Sequence, residues 1–317
     1  MDARPGQLSR RELVSGIGLL ATAGGGLAAA VARAAAAAAV PAAAGDPAAL
    51  ARLERFVRLR SATGHVPVMW IADGLLLAKP AAGPARPLLR NTTLTFTQVA
   101  PRGAGAYDFR LEEVGYFRDV DTGAVLADWT NPVTGRRVAP RHYRTPEALR
   151  LGPRGPGIAP APPGLEVRGV LDTLAELGGT VSIAEDLFVR IPAEPARAAS
   201  ATGPARAARA ERFLASLGTY TGRVAATPGP FTDWVDCSFH YSTLNSFSDW
   251  LGFDGVDGAQ SLRLAGIKRP HDEREAIPAW LRERVQREHA DFLDVPRRWL
   301  ADRWLEGATT AATEQRR

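Results

Sequence analysis

The chain has 317 residues, 45% of them hydrophobic, with 39 Lys/Arg against 34 Asp/Glu, a net charge of +5 and one cysteine, Cys237. A lone cysteine excludes an intramolecular disulfide, and so small a charge excess, with no basic stripe interleaved with aromatics, argues against nucleic acid as a partner. His65, His142, His240, His271 and His289 include no pair at i,i+4 spacing, so an H-E-x-x-H zinc site is excluded; no metal site is predicted, and the cofactor stays unknown.

The front of the chain reads SRRELVSGIGLLATAGGGLAAAVARAAAAAAVPAAAG, residues 9–45. Arg10 and Arg11 make a basic n-region, and after Glu12 no charge appears until Arg33, the layout of an export signal. Residues 13–32 are long enough to span a membrane. They are diluted by Gly, Ala, Ser and Thr, however, and each glycine costs a helix about 1 kcal/mol, so no permanent span is predicted. Ser9-Arg10-Arg11-x-Leu13-Val14 resembles the twin-arginine export signal, with leucine where phenylalanine is commoner. The resemblance implies one partner, the twin-arginine export machinery acting through Arg10 and Arg11. It also implies a periplasmic or extracellular destination, reached already folded. With 1–44 taken as the signal peptide, about 273 residues remain and the net charge falls to about +3.

Next, VPVMWIADGLLLAKP predicts a hairpin: two apolar runs, Val66–Ile71 and Leu75–Ala78, joined at Asp73-Gly74, a dipeptide suited to a tight primed turn. In NTTLTFTQV, Leu94, Phe96 and Gln98 alternate with Thr93, Thr95 and Thr97, a strand's period of two. AYDFRLEEVGYF alternates likewise, then turns through DVDTG into AVLADWTN, extending an antiparallel meander. From Pro140 to Gly164 prolines recur and the apolar period vanishes, which predicts a long loop or lid. GGTVSIAEDLFVRIP returns to a strand. In the alanine-rich Ala196–Leu217 the last half has the character of a helix, and strands are expected at Thr219–Ala225 and Phe231–Tyr241. The tail IPAWLRERVQREHADFLDVPRRWLADRWLEG is helical, interrupted at Pro296. Seven or more antiparallel strands followed by helices predict an α+β fold, mainly antiparallel β, with a barrel-like or strongly curved sheet and C-terminal helices. Residues 45–306 read as a single β-rich domain with a Pro-rich loop at 140–164 and a helical tail over 277–306; 307–317 read as a disordered C-terminus.

RDVDTGAVLADWTNPVTGRRV, EDLFVRIP and IPAWLRERVQREHADFLDVPRRW together resemble the DUF1838 family of uncharacterised, often exported proteins, over about Leu53 to Trp299. The resemblance is consistent with export but implies no established activity, so no catalytic residue is carried over from it.

Two carboxylates break the apolar faces of their strands. Glu185 falls among Val181, Ile183, Leu187, Val189 and Ile191, and Glu113 follows Tyr107, Phe109 and Leu111. Desolvation there would raise their proton affinity and suit acid or base chemistry, and a closed barrel would aim both into one lumen. The structural alternatives are a buried pair of Glu185 with Arg110 or Arg190, and a one-residue slip that turns Glu113 outward. His240 shares a face with Trp234 and Asp236, as a hydrolase His–Asp pair would, but no G-x-S-x-G elbow accompanies it. Asp128, Trp129 and Asn131 precede a turn that Asn131 can stabilise by itself. FDGVDG lacks the spacing of a calcium loop.

Two functions follow from different classes. One is an exported module binding a small lipophilic molecule in a β-rich pocket, with Trp129, Asn131, His142, Trp234 and Tyr241 as candidate ligand contacts. The other is a cofactor-independent hydrolase or isomerase in which Glu185 or Glu113 works with His240 or His142.

Overall fold

The computed structural model describes residues 46–62, 66–81, 83–103, 105–157, 166–192, 211–224 and 234–302. The predicted signal peptide, the predicted disordered tail and residues 158–164 of the predicted Pro-rich loop lie outside them, as does most of the alanine-rich stretch.

A helix, α1 (Pro47–Arg60), leads into β1 (Val68–Pro80), β2 (Arg86–Pro101) and β3 (Tyr107–Arg118). The small strands β4 (Trp129–Thr130) and β5 (Arg137–Val138) form a separate ladder, after which come β6 (Tyr143–Gly152), β7 (Gly155–Gly157), β8 (Glu166–Leu177), β9 (Thr180–Ile191), β10 (Arg212–Arg223), β11 (Cys237–Ser246) and β12 (Gly258–Pro270). Two helices close the described chain, α2 (Ala279–Glu288) and α3 (Val295–Ala301).

The ten long-sheet strands run in the order β7-β6-β3-β2-β1-β12-β11-β10-β9-β8, every pair antiparallel. Spatial order therefore follows chain order around an up-and-down barrel, and β12 pairs back onto β1. Only β7 and β8 meet without a ladder. Their backbones still touch there: a Cβ on Gly169 would stand 2.1 Å from the Pro156 carbonyl oxygen. The sheet is thus nearly closed, the barrel-like of the two forms, barrel-like or strongly curved, that the sequence allows.

Strand alternation divides the side chains between two layers. On β1, Val68, Trp70, Ala72, Leu76 and Ala78 enter the main core inside the barrel, whereas Met69 joins an outer cluster. In that outer cluster Leu94, Phe96, Val114 and Tyr116 lie beneath Leu281, Val285, Phe292 and Val295 of the C-terminal helical segment. Phe96 and Phe292 approach to 5.2 Å between ring centroids. Arg144 on β6 ties this layer down, its guanidinium bonded to Glu112 and, at 2.7 Å, to Asp291, whose carboxyl is held well below the usual carboxylate range by hydrogen bonds from Arg144 and Arg298.

Helix α1 starts at Asp46, whose carboxylate accepts from the Ala48 N–H at 3.0 Å, with Pro47 in the first turn where a missing N–H does no harm. It plugs one end of the barrel. Leu50 reaches Gly105 in the β2–β3 turn, Arg55 pairs with Glu176 at the end of β8, and Leu59 packs against Gly222 at the end of β10. Lys268 near the end of β12 donates to the carbonyls of Arg58 and Ser61 at 2.9 and 3.1 Å, capping the helix C-terminus. At the opposite end the β4–β5 hairpin meets the 247–257 connection, where Asn131 donates to the Leu251 carbonyl at 2.8 Å and Trp250 packs on Phe117.

Several local expectations are corrected. Asp73-Gly74 is no turn: β1 runs straight through it, and the glycine is required because a Cβ would stand 1.8 Å from the Arg263 carbonyl oxygen of β12. Asp73 faces outward and pairs with Arg90 at 2.8 Å. The predicted loop over 140–164 contains β6 and β7. Pro146 fits because it points outward, while Thr145 and Glu147 on the inner face interrupt the apolar period. AVLADWTN contributes only β4, and residues 212–217, placed within a possible helix, open β10. The strand expected at Phe231–Tyr241 runs from Cys237 to Ser246, and Phe231–Asp233 lie outside the described residues. Helix α1 and strands β8 and β12 have no counterpart in the sequence reading. Among the described residues no helix is long and apolar enough to cross a membrane.

Candidate functional site

The register of the strands shows what the interior presents. One line of paired inward positions runs Leu171, Glu185, Gly218, Tyr241, Leu264 and on to Gly74, Asn91 and Phe117. The next runs through Ile183, Tyr220, Phe239, Gly266, Ala72 and Thr93. Glycines in these lines make room for rings: a Cβ on Gly266 would meet the Phe239 ring at 2.2 Å, and one on Gly115 would meet Tyr143 at 2.1 Å. The result is an aromatic wall in which Trp70 contacts Phe239 and Tyr220 edge-on, with centroids 5.0 and 5.8 Å apart.

Buried polar groups are set into this wall. Glu185, 9% exposed, is bonded to Arg60, the last residue of α1, and the Tyr220 hydroxyl lies 3.5 Å from its other oxygen. The Arg60 guanidinium stacks 4.2 Å from the Phe109 ring centroid, and its carbonyl accepts from the Trp70 indole at 3.0 Å. Glu113, 1% exposed, accepts from the Thr95 hydroxyl at 2.7 Å, with Tyr143 as a second donor. Burial pushes its carboxyl up to about 7, the two hydrogen bonds opposing the rise. Glu147 is a third interior carboxylate, close enough to raise the proton affinity of Arg60 and Tyr241. A barrel-like fold with such an interior is compatible with a lipophilic ligand, and Glu113 can exchange a proton near neutral pH.

The predicted site residues separate. Glu113, Glu185 and Tyr241 all face the lumen. The partner of Glu185 is Arg60, not Arg110 or Arg190: Arg110 stacks outside on Trp299 and Arg190 pairs with Glu211. His240 is exposed on the outer face of β11, away from both glutamates. His142 is a backbone clamp, accepting the Phe117 N–H at 3.0 Å and meeting the Leu126 carbonyl at 2.9 Å. Asn131 does what its turn reading expects, accepting from the Val133 and Thr134 N–H groups, and Trp129 packs half-buried against the core. Trp234, 40% exposed, donates to Asp236 and lies 4.8 Å from the Lys268 ammonium, outside the wall of rings. Between the β4–β5 hairpin and the 247–257 connection is an open groove of about 560 Å³, bordered by Arg136, Arg141, Asp249 and Trp250.

Arg60, Glu147, Tyr143 and Tyr220 also belong to the interior, beyond the residues the sequence singles out. Their signal exists for β6, where Tyr143, Thr145, Glu147, Leu149 and Leu151 alternate strictly once Pro146 is assigned to the outer face. None exists for Arg60, whose place depends on a helix plugging a barrel. Among the described residues no group of three or more His, Cys, Asp or Glu is placed to hold a metal ion. No protein-family model matches the chain, and no curated protein matches it.

Proposed function

We propose that the protein is an exported binding protein that holds a small lipophilic molecule inside its β-barrel. The observation that supports this most directly is the enclosure itself. Eight strands make a barrel that side chains just fill, and diameter grows with strand number. Here ten strands surround an interior lined by Trp70, Tyr220, Phe239 and Tyr241, with Glu113, Glu147 and Glu185 facing into it. The twin-arginine pattern around Arg10 and Arg11 and the likeness to DUF1838 proteins support export.

Native mass spectrometry of protein from its host's extracytoplasmic fraction, before and after denaturation, tests the reading. A small apolar molecule lost on denaturation is expected; an empty protein would overturn the ligand, and recovery of the full-length chain from the cytoplasmic fraction alone would overturn export. Exchange of Arg10 and Arg11 for lysine is expected to retain the precursor in the cytoplasm.

Glu113 favours a second reading, a cofactor-independent hydrolase or isomerase, since its proton affinity near neutral pH suits acid–base work. Its hydrogen-bond partners in the barrel are Thr95 and Tyr143. Under this reading Glu113→Gln abolishes turnover of a bound substrate; under the first it leaves ligand retention nearly intact.

A further inference from the structure

Asn245 on β11 and Gln260 on β12 face each other across one ladder, 2% and 0% exposed. They belong to an inward line that runs Val167, Val189, Leu214, then the two amides, then Ala78, and ends at the exposed Arg86 on β2. Gln260 is oriented by its surroundings. Its Oε1 accepts the Ser248 N–H at 2.7 Å, which turns Nε2 away, and that Nε2 has no hydrogen-bond partner. Neither Nδ2 nor Oδ1 of Asn245 has one either. Three hydrogen-bonding atoms are thus buried together with nothing among the described residues to satisfy them, a condition native interiors avoid unless something else occupies the site.

We infer that Asn245 and Gln260 anchor the uncharged polar head of the lipophilic ligand, a hydroxyl or carboxamide, at the end of the barrel opposite α1. The inference rests on the lipophilic-ligand reading above and adds the ligand's head group and its direction. A hydroxyl or carboxamide both accepts and donates, so it can take the Gln260 N–H and complete Asn245 in either orientation of its amide. Charged heads do not fit. A carboxylate would need a buried cation beside the amides, yet Arg60 is committed to Glu185, Lys268 caps α1 at the far end, and Arg86, two strands from Gln260, is exposed to solvent at the rim. An ammonium would need a carboxylate, and none stands in the line of Asn245 and Gln260. An unpaired charge buried there would be far costlier than a neutral group that makes its hydrogen bonds.

The test uses four alkyl probes of equal chain length, dodecanol, dodecanamide, dodecanoate and dodecylamine, titrated into the purified protein against a displaceable environment-sensitive dye. Dodecanol and dodecanamide are expected to bind at least about tenfold more tightly than the two charged probes, the scale of one or two buried hydrogen bonds. Asn245→Leu and, separately, Gln260→Met are each expected to weaken the neutral probes about tenfold while leaving dodecane binding unchanged, with folding checked by thermal melting. Equal binding of all four probes, or an undiminished preference in both variants, would overturn the anchor and assign the amides to buried water. Binding of none of the probes, dodecane included, would overturn the lipophilic-ligand reading itself.

Discussion

Arg60 and Glu185, 125 residues apart in the chain, meet inside the barrel and join the plug helix to the wall. Arg60 is 3% exposed, so neither charge has water to fall back on. Removing one partner of a buried pair leaves an uncompensated charge at a cost of about 3–5 kcal/mol, whereas replacing both by apolar groups is often nearly neutral. Arg60→Met is therefore expected to lose about that much in urea unfolding, and Arg60→Met/Glu185→Leu to recover most of it. A double variant no more stable than the single would contradict the pairing.

The Glu113 carboxyl, held at about 7 by burial, compares with about 4.3 in an unfolded chain. The folded state binds this proton more tightly. Its contribution to stability is complete below about pH 4 and is lost as pH rises through 7. Wild type is expected to lose about 3 kcal/mol relative to Glu113→Gln between pH 4.5 and 8. Parallel curves for the two proteins in urea titrations would show that Glu113 is not desolvated.

Gly74→Ala places a methyl group 1.8 Å from the Arg263 carbonyl oxygen, a backbone atom that cannot move aside. A loss of about 3 kcal/mol or more is expected in thermal or urea denaturation. A hairpin turn at this position would have tolerated the change far better, so the same measurement separates strand from turn.

Phe292 is fully buried between the outer face of the barrel and the C-terminal helices. Phe292→Ala is expected to cost about 3–5 kcal/mol. Because the residue belongs to the outer layer, affinity for a probe in the lumen should stay unchanged under conditions where the variant remains folded.

Cys237 is 6% exposed, and burial pushes its thiol up to about 12. A thiol that is both inaccessible and protonated reacts slowly. Labelling with a disulfide reagent at neutral pH is expected to be roughly a hundredfold or more slower in the native protein than in urea. Rapid labelling in buffer would mean that this wall of the barrel opens readily.

The sequence showed most where one face of a strand was apolar and one residue stood out from it. On β3 and β9 the alternation is strict, and it alone puts Glu113 and Glu185 on the apolar face of their strands. It failed where a local signal had a distant cause. Asp73-Gly74 has the chemistry of a turn, but the glycine answers to a carbonyl on β12, far along the chain. On β6 the inner face carries Tyr143, Thr145 and Glu147, so no apolar period marked the strand and its proline suggested a loop. Partners were the least legible: Arg60 lies on a helix beyond the reach of any strand pattern, and the outward turn of His240 depends on a register counted from Cys237.

The pairing of β12 with β1 also bears on how the chain is made. Val68 finds Pro270, and Pro80 finds Gly258, so the strand formed first waits for the last of the described strands to be synthesised. Until then β1 and the growing end of the sheet are both bare edges, able to template pairing between neighbouring nascent chains. A ribosome that stops before residue 258 therefore releases a sheet with the edge of β1 still bare, and synthesis of β12 is what closes that seam.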